Sequence, residues 1–412
     1  VSGTGDFSLR QIALPAFGPS VLYGVGMGAI APVIALRAHD LGASFAVAAL
    51  MTTDVGLASL LTNLPASALT ARFGERSALV AAAVWAMAAM VLGATATSLP
   101  LFAAAIFMVG MAGSVFNLAR QSYLTAAVPH HLRARAMSTL GGTHRIGIFA
   151  GPFLAAAAIA LGGIPAAFWL GAATMVLAAA LSLTVPDFEP TTTAVPGAPP
   201  VTIRGIFTRH WRTFATVGVG VMLVGAVRAS RQAVLPLWAA NLGLDASSAS
   251  LIYGLSGAVE MLLFYPAGKL MDIKGRIWTA VPCMAIMAAG LIWIPFTTGF
   301  TALLLAALLM GVGNGMGSGI VMTLGADYAP AAGRPQFLGL WRLVTDTGIM
   351  GGPALLSAVT ALVSLSVGIW TTAGLAILGA VALGYWIPRT RPAEAPEGIT
   401  RAPARRRGSP AG

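Results

Sequence analysis

Twelve apolar runs, each close to the length of a bilayer-crossing helix, divide this chain and limit its fold more than any other feature. They cover roughly 11–36, 46–70, 77–97, 100–122, 137–160, 164–185, 213–240, 247–270, 278–298, 300–324, 337–361 and 366–387. An α-helix rises about 1.5 Å per residue, so about 20 apolar residues cross the hydrocarbon core. Composition points the same way: 57% of residues are apolar and 9% charged, where a soluble domain carries about 25% charged residues. A chain with so little polar surface predicts an all-α membrane protein of twelve transmembrane helices. The polar segment 1–10 precedes an apolar run with no small-residue cleavage site. That run is read as a retained first helix and not as a signal peptide.

The formal net charge is +11. The basic residues fall in short clusters between the apolar runs, not along one folded face, which argues against a nucleic-acid partner. With the N-terminus inside, inner loops and tails carry 18 Lys and Arg, and outer loops only Arg37. By the positive-inside rule both termini are expected to be cytoplasmic, in a plasma (inner) membrane protein. Cys283 is the one cysteine; it makes no internal disulfide and no metal cluster. The chain has no phosphate-loop motif and no His-Glu-x-x-His zinc motif. We therefore expect no cofactor, no metal and no enzymatic activity. His130 and His131 lie in a basic loop and read as solvated. The glycine-rich run 311–319 sits inside an apolar segment and reads as close helix packing.

The pattern breaks between 186 and 212, which carries Asp187, Glu189, several prolines and a basic end at Arg204, Arg209 and Arg212. Four parts are expected: a six-helix bundle over 1–185, a cytoplasmic linker over 186–212, a second six-helix bundle over 213–387 and a disordered basic tail over 388–412. The tail cluster Arg405, Arg406 and Arg407 reads as an orientation signal, with anionic lipid as a second reading. The halves match at an offset of 201 residues. Leu41-Gly42 pairs with Leu242-Gly243, Pro65 with Pro266, Gly74 with Gly275, Gly110 with Gly311, Pro129 with Pro330, Arg133 with Arg334, and Gly151-Pro152 with Gly352-Pro353. Repeated halves are a common build for membrane carriers.

Two motifs sharpen this. After the eighth run comes Gly268-Lys269-Leu270-Met271-Asp272-Ile273-Lys274-Gly275-Arg276. A small residue there lets helix ends approach, and Asp272 with the basic residues makes a charged latch. The segment resembles the inner-loop signature of the major facilitator superfamily, Gly-three-residues-Asp-two-residues-Gly-Arg. The matching loop after the second run keeps Arg72, Gly74 and Arg76 but has Ala71 where that family has Asp and Glu75 where Arg is usual. In the fifth run Gly147, Gly151 and Pro152, followed by small residues, resemble the family's antiporter signature. That likeness implies the drug- and metabolite-exporting, proton-driven members. A third signature, an Arg in the fourth helix four residues before a Gly, is absent: Ile106 precedes Gly110.

Ionisable residues inside a membrane helix cost about 2.5–3.5 kcal/mol each on insertion scales, so each asks for a role. Asp54, Arg120, Arg145, Arg228, Arg231, Glu260, Arg342 and Asp346 all lie within runs. The rise per residue puts Arg145 and Asp346 about 13 Å from the inner face. Glu260 lies at a comparable depth, and the resemblance implies that the fifth and eighth helices abut, so an Arg145–Glu260 pair is expected. The proton-coupling candidates are Asp346 first, then Glu260 and Asp54. Arg228, Arg231, Arg145 and Arg342 are the substrate-cavity candidates. The expected activity is proton-coupled efflux of a small organic molecule, drug-like or metabolite-like. Uptake of an organic anion is the alternative suggested by the excess of arginines. A non-transporting sensor or a membrane-embedded enzyme is more remote. The expected partners are a small-molecule substrate, protons and membrane lipid, with the chain monomeric.

Overall fold

The computed structural model of this chain describes residues 13–127, 133–185, 203–317, 319–330 and 334–390. All regular structure among them is helical: α1 (Ala13–Ile30), α2 (Ile34–Asp40), α3 (Phe45–Phe73), α4 (Glu75–Thr95), α5 (Leu99–Ala127), α6 (Arg133–Gly162), α7 (Pro165–Ser182), α8 (Ile203–Thr213), α9 (Val219–Asn241), α10 (Ala246–Lys274), α11 (Ile277–Trp293), α12 (Phe300–Met316), α13 (Ile320–Tyr328), α14 (Arg334–Leu362) and α15 (Leu365–Trp386). Every expected run is helical over most of its described residues. The first is split into α1 and α2 around Pro32, and the tenth into α12 and α13. Eleven stretches among the described residues are long and apolar enough to cross a membrane. The twelfth, α14, has 29 residues but carries Arg342 and Asp346 among threonines and glycines, which lowers its apolarity. Helix α8 is the end of the expected linker; 186–202, 391–412, His130 and His131 lie outside the described residues.

The 201-residue repeat governs packing as well as sequence. Glycine 74 ends α3 at φ 80°, and its mate Gly275 ends α10 at φ 98°; a side chain is strained in this left-handed region. Ser44 caps α3 by accepting from the Val47 N–H at 3.3 Å, and its mate Asp245 caps α10 by accepting from the Ser248 N–H at 3.1 Å. Ser248 also donates its hydroxyl to the Asp245 carboxylate, and these bonds hold that carboxyl below the usual range. Close helix approaches recur in register. Gly147 of α6 lies on the Val21 carbonyl of α1, and Gly348 of α14 on the Met222 carbonyl of α9. Gly151 meets Val25, and Gly352 meets Ala226. Gly110 of α5 rests on the Val55 carbonyl of α3, and Gly311 of α12 on that of Ser256 in α10. Each of these contacts maps onto its partner by adding 201 to both residues.

Across the two sets of helices, α3 packs on α14 and α6 on α10. At the end that carries the Gly42 and Gly243 turns, Ser357 donates its hydroxyl to the Ala46 carbonyl at 2.7 Å. Ser247 donates to the Ala156 carbonyl at 2.9 Å. Positions 46 and 247 are repeat mates, as are 156 and 357, so the two bonds are one contact used twice. Each is worth about 1 kcal/mol. Replacing both serines, in Ser247→Ala with Ser357→Ala, is expected to loosen this end by about 2 kcal/mol, roughly a thirtyfold shift. Hydrogen exchange at 45–50 and 246–251 should accelerate accordingly; unchanged exchange would mean the bonds do not hold the end closed.

Candidate functional site

Helix α9 presents Arg228 and Arg231 three residues apart, which turns the second about 60° from the first around the helix axis. That rotation separates their fates. Arg231 is 5% exposed. Its Nη1 donates to Glu260 Oε2 at 3.2 Å and its Nη2 to Ser256 Oγ at 2.7 Å. Its guanidinium also lies 5.5 Å from the centre of the Tyr253 ring. Arg228 instead lines a cavity of about 250 Å³ together with Arg145, Gln232, Gly319 and Thr345. The sequence reading placed both arginines of α9 in the cavity; the structure puts only Arg228 there and ties Arg231 into α10.

Arg228 reaches its position because the tenth span comes apart beside it. Helix α12 stops at Met316, and α13 restarts after Gly319, at φ 83°. Arg228 Nη2 donates to the Asn314 carbonyl at 3.4 Å. A Cβ on Gly317 would sit 2.8 Å from Arg228 Nη2 and against Cys283 Sγ. The run 311–319 was expected to serve helix packing alone. Its first part does: Gly311, Gly313 and Gly315 lie against α10 and α11. Its last part opens the helix at the cavity wall, which is where non-helical backbone is tolerated at membrane depth. The density of glycine at 317 and 319 was the available signal. Asn314 was also missed; its Oδ1 is buried with no hydrogen-bond partner among the described residues.

Arg145 reaches the cavity from α6, in the other set of helices, and lies within the electrostatic reach of both Arg228 and Glu260. Glu260, the partner expected for Arg145, also has a hydrogen-bonded cation on α9. Glu260 is engaged by Arg231, which is anchored to the same helix through Ser256. The cavity wall carries two guanidinium groups and, among the described residues that line it, no carboxylate. On α14, Asp346 Oδ2 lies 3.8 Å from Arg342 Nε, one helical turn away. Its neighbour Thr345 lines the cavity. Asp54 is half-buried on α3. Arg342 is mostly exposed and lies within electrostatic reach of Arg120 on α5.

Arg276 of the expected latch also engages an acid on another helix. Arg276 donates from Nε and Nη2 to the two carboxylate oxygens of Asp327 on α13, at 2.8 and 3.3 Å, and from Nη1 to the Met271 carbonyl at 3.2 Å. Gly268 lies on α10 one turn before the side chain of Asp272, which is outside what the structure describes. The repeat mate of Arg276 is Glu75, which accepts from Ser122 Oγ at 2.8 Å. The same position ties a helix start to its neighbour in both halves, with opposite chemistry. Gly147 and Gly151 are spent on packing α6 against α1, and Pro152 packs beside Gly254 of α10. No group of three or more metal-ligating side chains occurs among the described residues.

The sequence pattern of the Major Facilitator Superfamily matches residues 19–331 and 217–409. An uncharacterised MFS-type transporter of Methanocaldococcus jannaschii is 22% identical over 332 residues, covering 80% of this chain and 86% of that protein. Among solved structures, a POT family transporter superposes with a TM-score of 0.73 at 12% identity, over 92% of this chain and 96% of its own. The D-xylose-proton symporter gives 0.70 at 16% identity, over 92% and 97%. The nucleoside transporter NupG gives 0.69 at 15% identity, over 90% and 98%. At these identities the likeness is one of fold.

Proposed function

The chain belongs to the Major Facilitator Superfamily, and from that membership we propose that it is a secondary transporter that carries a small organic anion between Arg145 and Arg228. One observation carries this reading: guanidinium groups from opposite sets of helices line a single cavity. Two guanidinium groups facing one low-dielectric cavity create a positive potential that favours an anionic cargo. Cargo size follows from volume. The cavity of about 250 Å³ is smaller than the usual range for drug-sized ligands, about 300–1,000 Å³. Metabolite-sized cargo is favoured over drug-like cargo. Proteins of this fold carry nucleosides, xylose and peptides, so cargo must be read from side chains and not from the fold.

In this reading α1–α7 and α9–α15 are two bundles that rock about the cavity, with α8 and the segment before it as a cytoplasmic linker and both termini inside the plasma membrane. One chain suffices. Asp346 is the proton-coupling residue: it stands beside the cavity residue Thr345 and exchanges its proton against the pull of Arg342. The antiporter-like glycines of α6 do the same packing as their mates in α14. Export driven by the proton gradient remains the reading from the sequence motif, and flux decides it.

The test is transport of labelled small carboxylates, organic cations and neutral solutes by the purified chain in liposomes, with and without a pH gradient. Arg228→Gln and Arg145→Gln are each expected to lower carboxylate flux about 10–100-fold, the loss of one charged hydrogen bond at about 1.5–3 kcal/mol. Asp346→Asn is expected to keep carboxylate exchange and lose its response to the pH gradient. Flux of cations or neutral solutes that ignores both arginine variants would sink the anion reading. A gradient response that survives Asp346→Asn would move coupling elsewhere.

A further inference from the structure

A second cluster of buried polar groups lies in the first bundle, outside the cavity described above. The ring of Tyr23 on α1 stacks on Phe116 of α5, with centroids 4.1 Å apart and planes 10° from parallel. Its hydroxyl is held over Gly113, where an added Cβ would lie 3.3 Å from it. Gly113 opens a face of α5 that continues through Asn117 and Arg120, four and seven residues on, the spacing that stacks side chains along one helix face. Tyr23 Oη, Asn117 Oδ1 and Arg120 Nη1 are all buried with no hydrogen-bond partner among the described residues. So is Oγ of Ser20, one turn before Tyr23. Tyr23 and Ser20 are each 1% exposed.

A buried polar atom without a partner costs about 1–3 kcal/mol, and native proteins hold few of them. Several on one face, from two helices, point to something that partners them when the protein works. Their chemistry says what. A guanidinium, a phenol hydroxyl and an amide that can turn its NH₂ inward offer donors along this face, which suits a carboxylate or a similar oxyanion. The cluster is linked to the cavity along α6. His144, whose Nδ1 lies 3.3 Å from the Ser20 carbonyl and whose ring centre lies 6.4 Å from that of Tyr23, is the chain neighbour of Arg145.

We propose that Tyr23, Asn117 and Arg120 form a second cargo subsite, and that the cargo is therefore a dianion whose second acidic group it receives. This rests on the anion reading of Arg145 and Arg228 and narrows it to molecules with two acidic ends. Arg342, within electrostatic reach of Arg120 from the other bundle, adds positive potential to the same position.

The test is calorimetric titration of the purified full-length chain in detergent with succinate, glutarate and adipate, each against the monocarboxylate of the same length. The wild type is expected to bind one dicarboxylate at least about tenfold more tightly than its partner, the equivalent of about 1.4 kcal/mol. Tyr23→Phe, which keeps the ring stack, and Arg120→Gln should bring that ratio close to one and leave monocarboxylate affinity within twofold. Arg228→Gln should weaken both classes. A wild-type ratio near one, or a ratio unchanged in Tyr23→Phe, overturns the subsite and leaves water as its occupant, while the anion reading stands. Equal weakening of both classes in Tyr23→Phe shows a structural tyrosine and overturns the subsite too. If no carboxylate binds to the wild type, the anion reading fails and the subsite falls with it.

Discussion

Gly348→Ala is expected to leave little folded protein, although it adds one methyl group. The new Cβ would be driven into the Met222 carbonyl. Both partners are backbone of long helices, α14 and α9, so no flexible side chain can yield. Overpacking usually costs about 1–3 kcal/mol, and a backbone obstacle puts this case at the upper end. Gly147→Ala should do the same where α6 meets the Val21 carbonyl of α1. Gly351→Ala, three residues further along α14, meets nothing within 4 Å and serves as the control. The check is monodisperse yield and thermal midpoint in detergent for the three variants. If Gly348→Ala matches Gly351→Ala, the close approach of α14 to α9 is wrong, and with it the geometry that places Thr345 beside Arg228.

The second large effect falls on Arg231→Ala. This residue is buried, shares Glu260 and Ser256 with α10 and stacks over Tyr253. Its removal leaves the Glu260 carboxylate without its guanidinium partner. Breaking one side of a buried pair costs about 3–5 kcal/mol, and the partial exposure of Glu260 puts this pair at or below the lower end, whereas replacing both partners with neutral groups of similar size can be close to neutral. Arg231→Ala should therefore lower the thermal midpoint sharply. Arg231→Met combined with Glu260→Gln should restore most of it. Arg228→Gln, one turn earlier, should keep the midpoint and lose transport. This contrast separates the two arginines of α9 by measurement. A fall in stability with Arg228→Gln and none with Arg231→Ala would exchange their assignments.

Those arginines also show where sequence reading stops. Both were visible as membrane-embedded charges, and burial cost alone justified singling them out. Which one faces the cavity depends on a 60° difference around α9 and on the presence of Ser256 and Glu260 in α10, more than twenty residues away. The latch is similar. Gly275 and Arg276 were legible as part of the inner-loop motif, and the structure shows that the glycine ends α10 at positive φ. Asp327, an acid that Arg276 bonds, lies 51 residues along the chain, and only tertiary packing brings it there. Tyr23, Asn117 and Asn314 raised no signal at all, because uncharged polar residues inside apolar runs are ordinary until their hydrogen-bond partners are counted.

The sequence by itself determined the number of spans, their helical state and the repeat. Each of these follows from local physics: backbone hydrogen bonds must close within the segment in lipid, apolar length must match bilayer thickness, and a duplicated half brings its glycines and prolines in register. The repeat even predicts contacts, since an approach of Gly147 to Val21 implies one of Gly348 to Met222. Tertiary structure decided what breaks that symmetry. The tenth span opens at Gly317 and Gly319, Arg145 meets Arg228 across the bundles, and Arg231 turns away to Glu260. These features arise where two similar halves face each other with different side chains, and pairing at that distance is set by how whole helices pack, which no local pattern encodes.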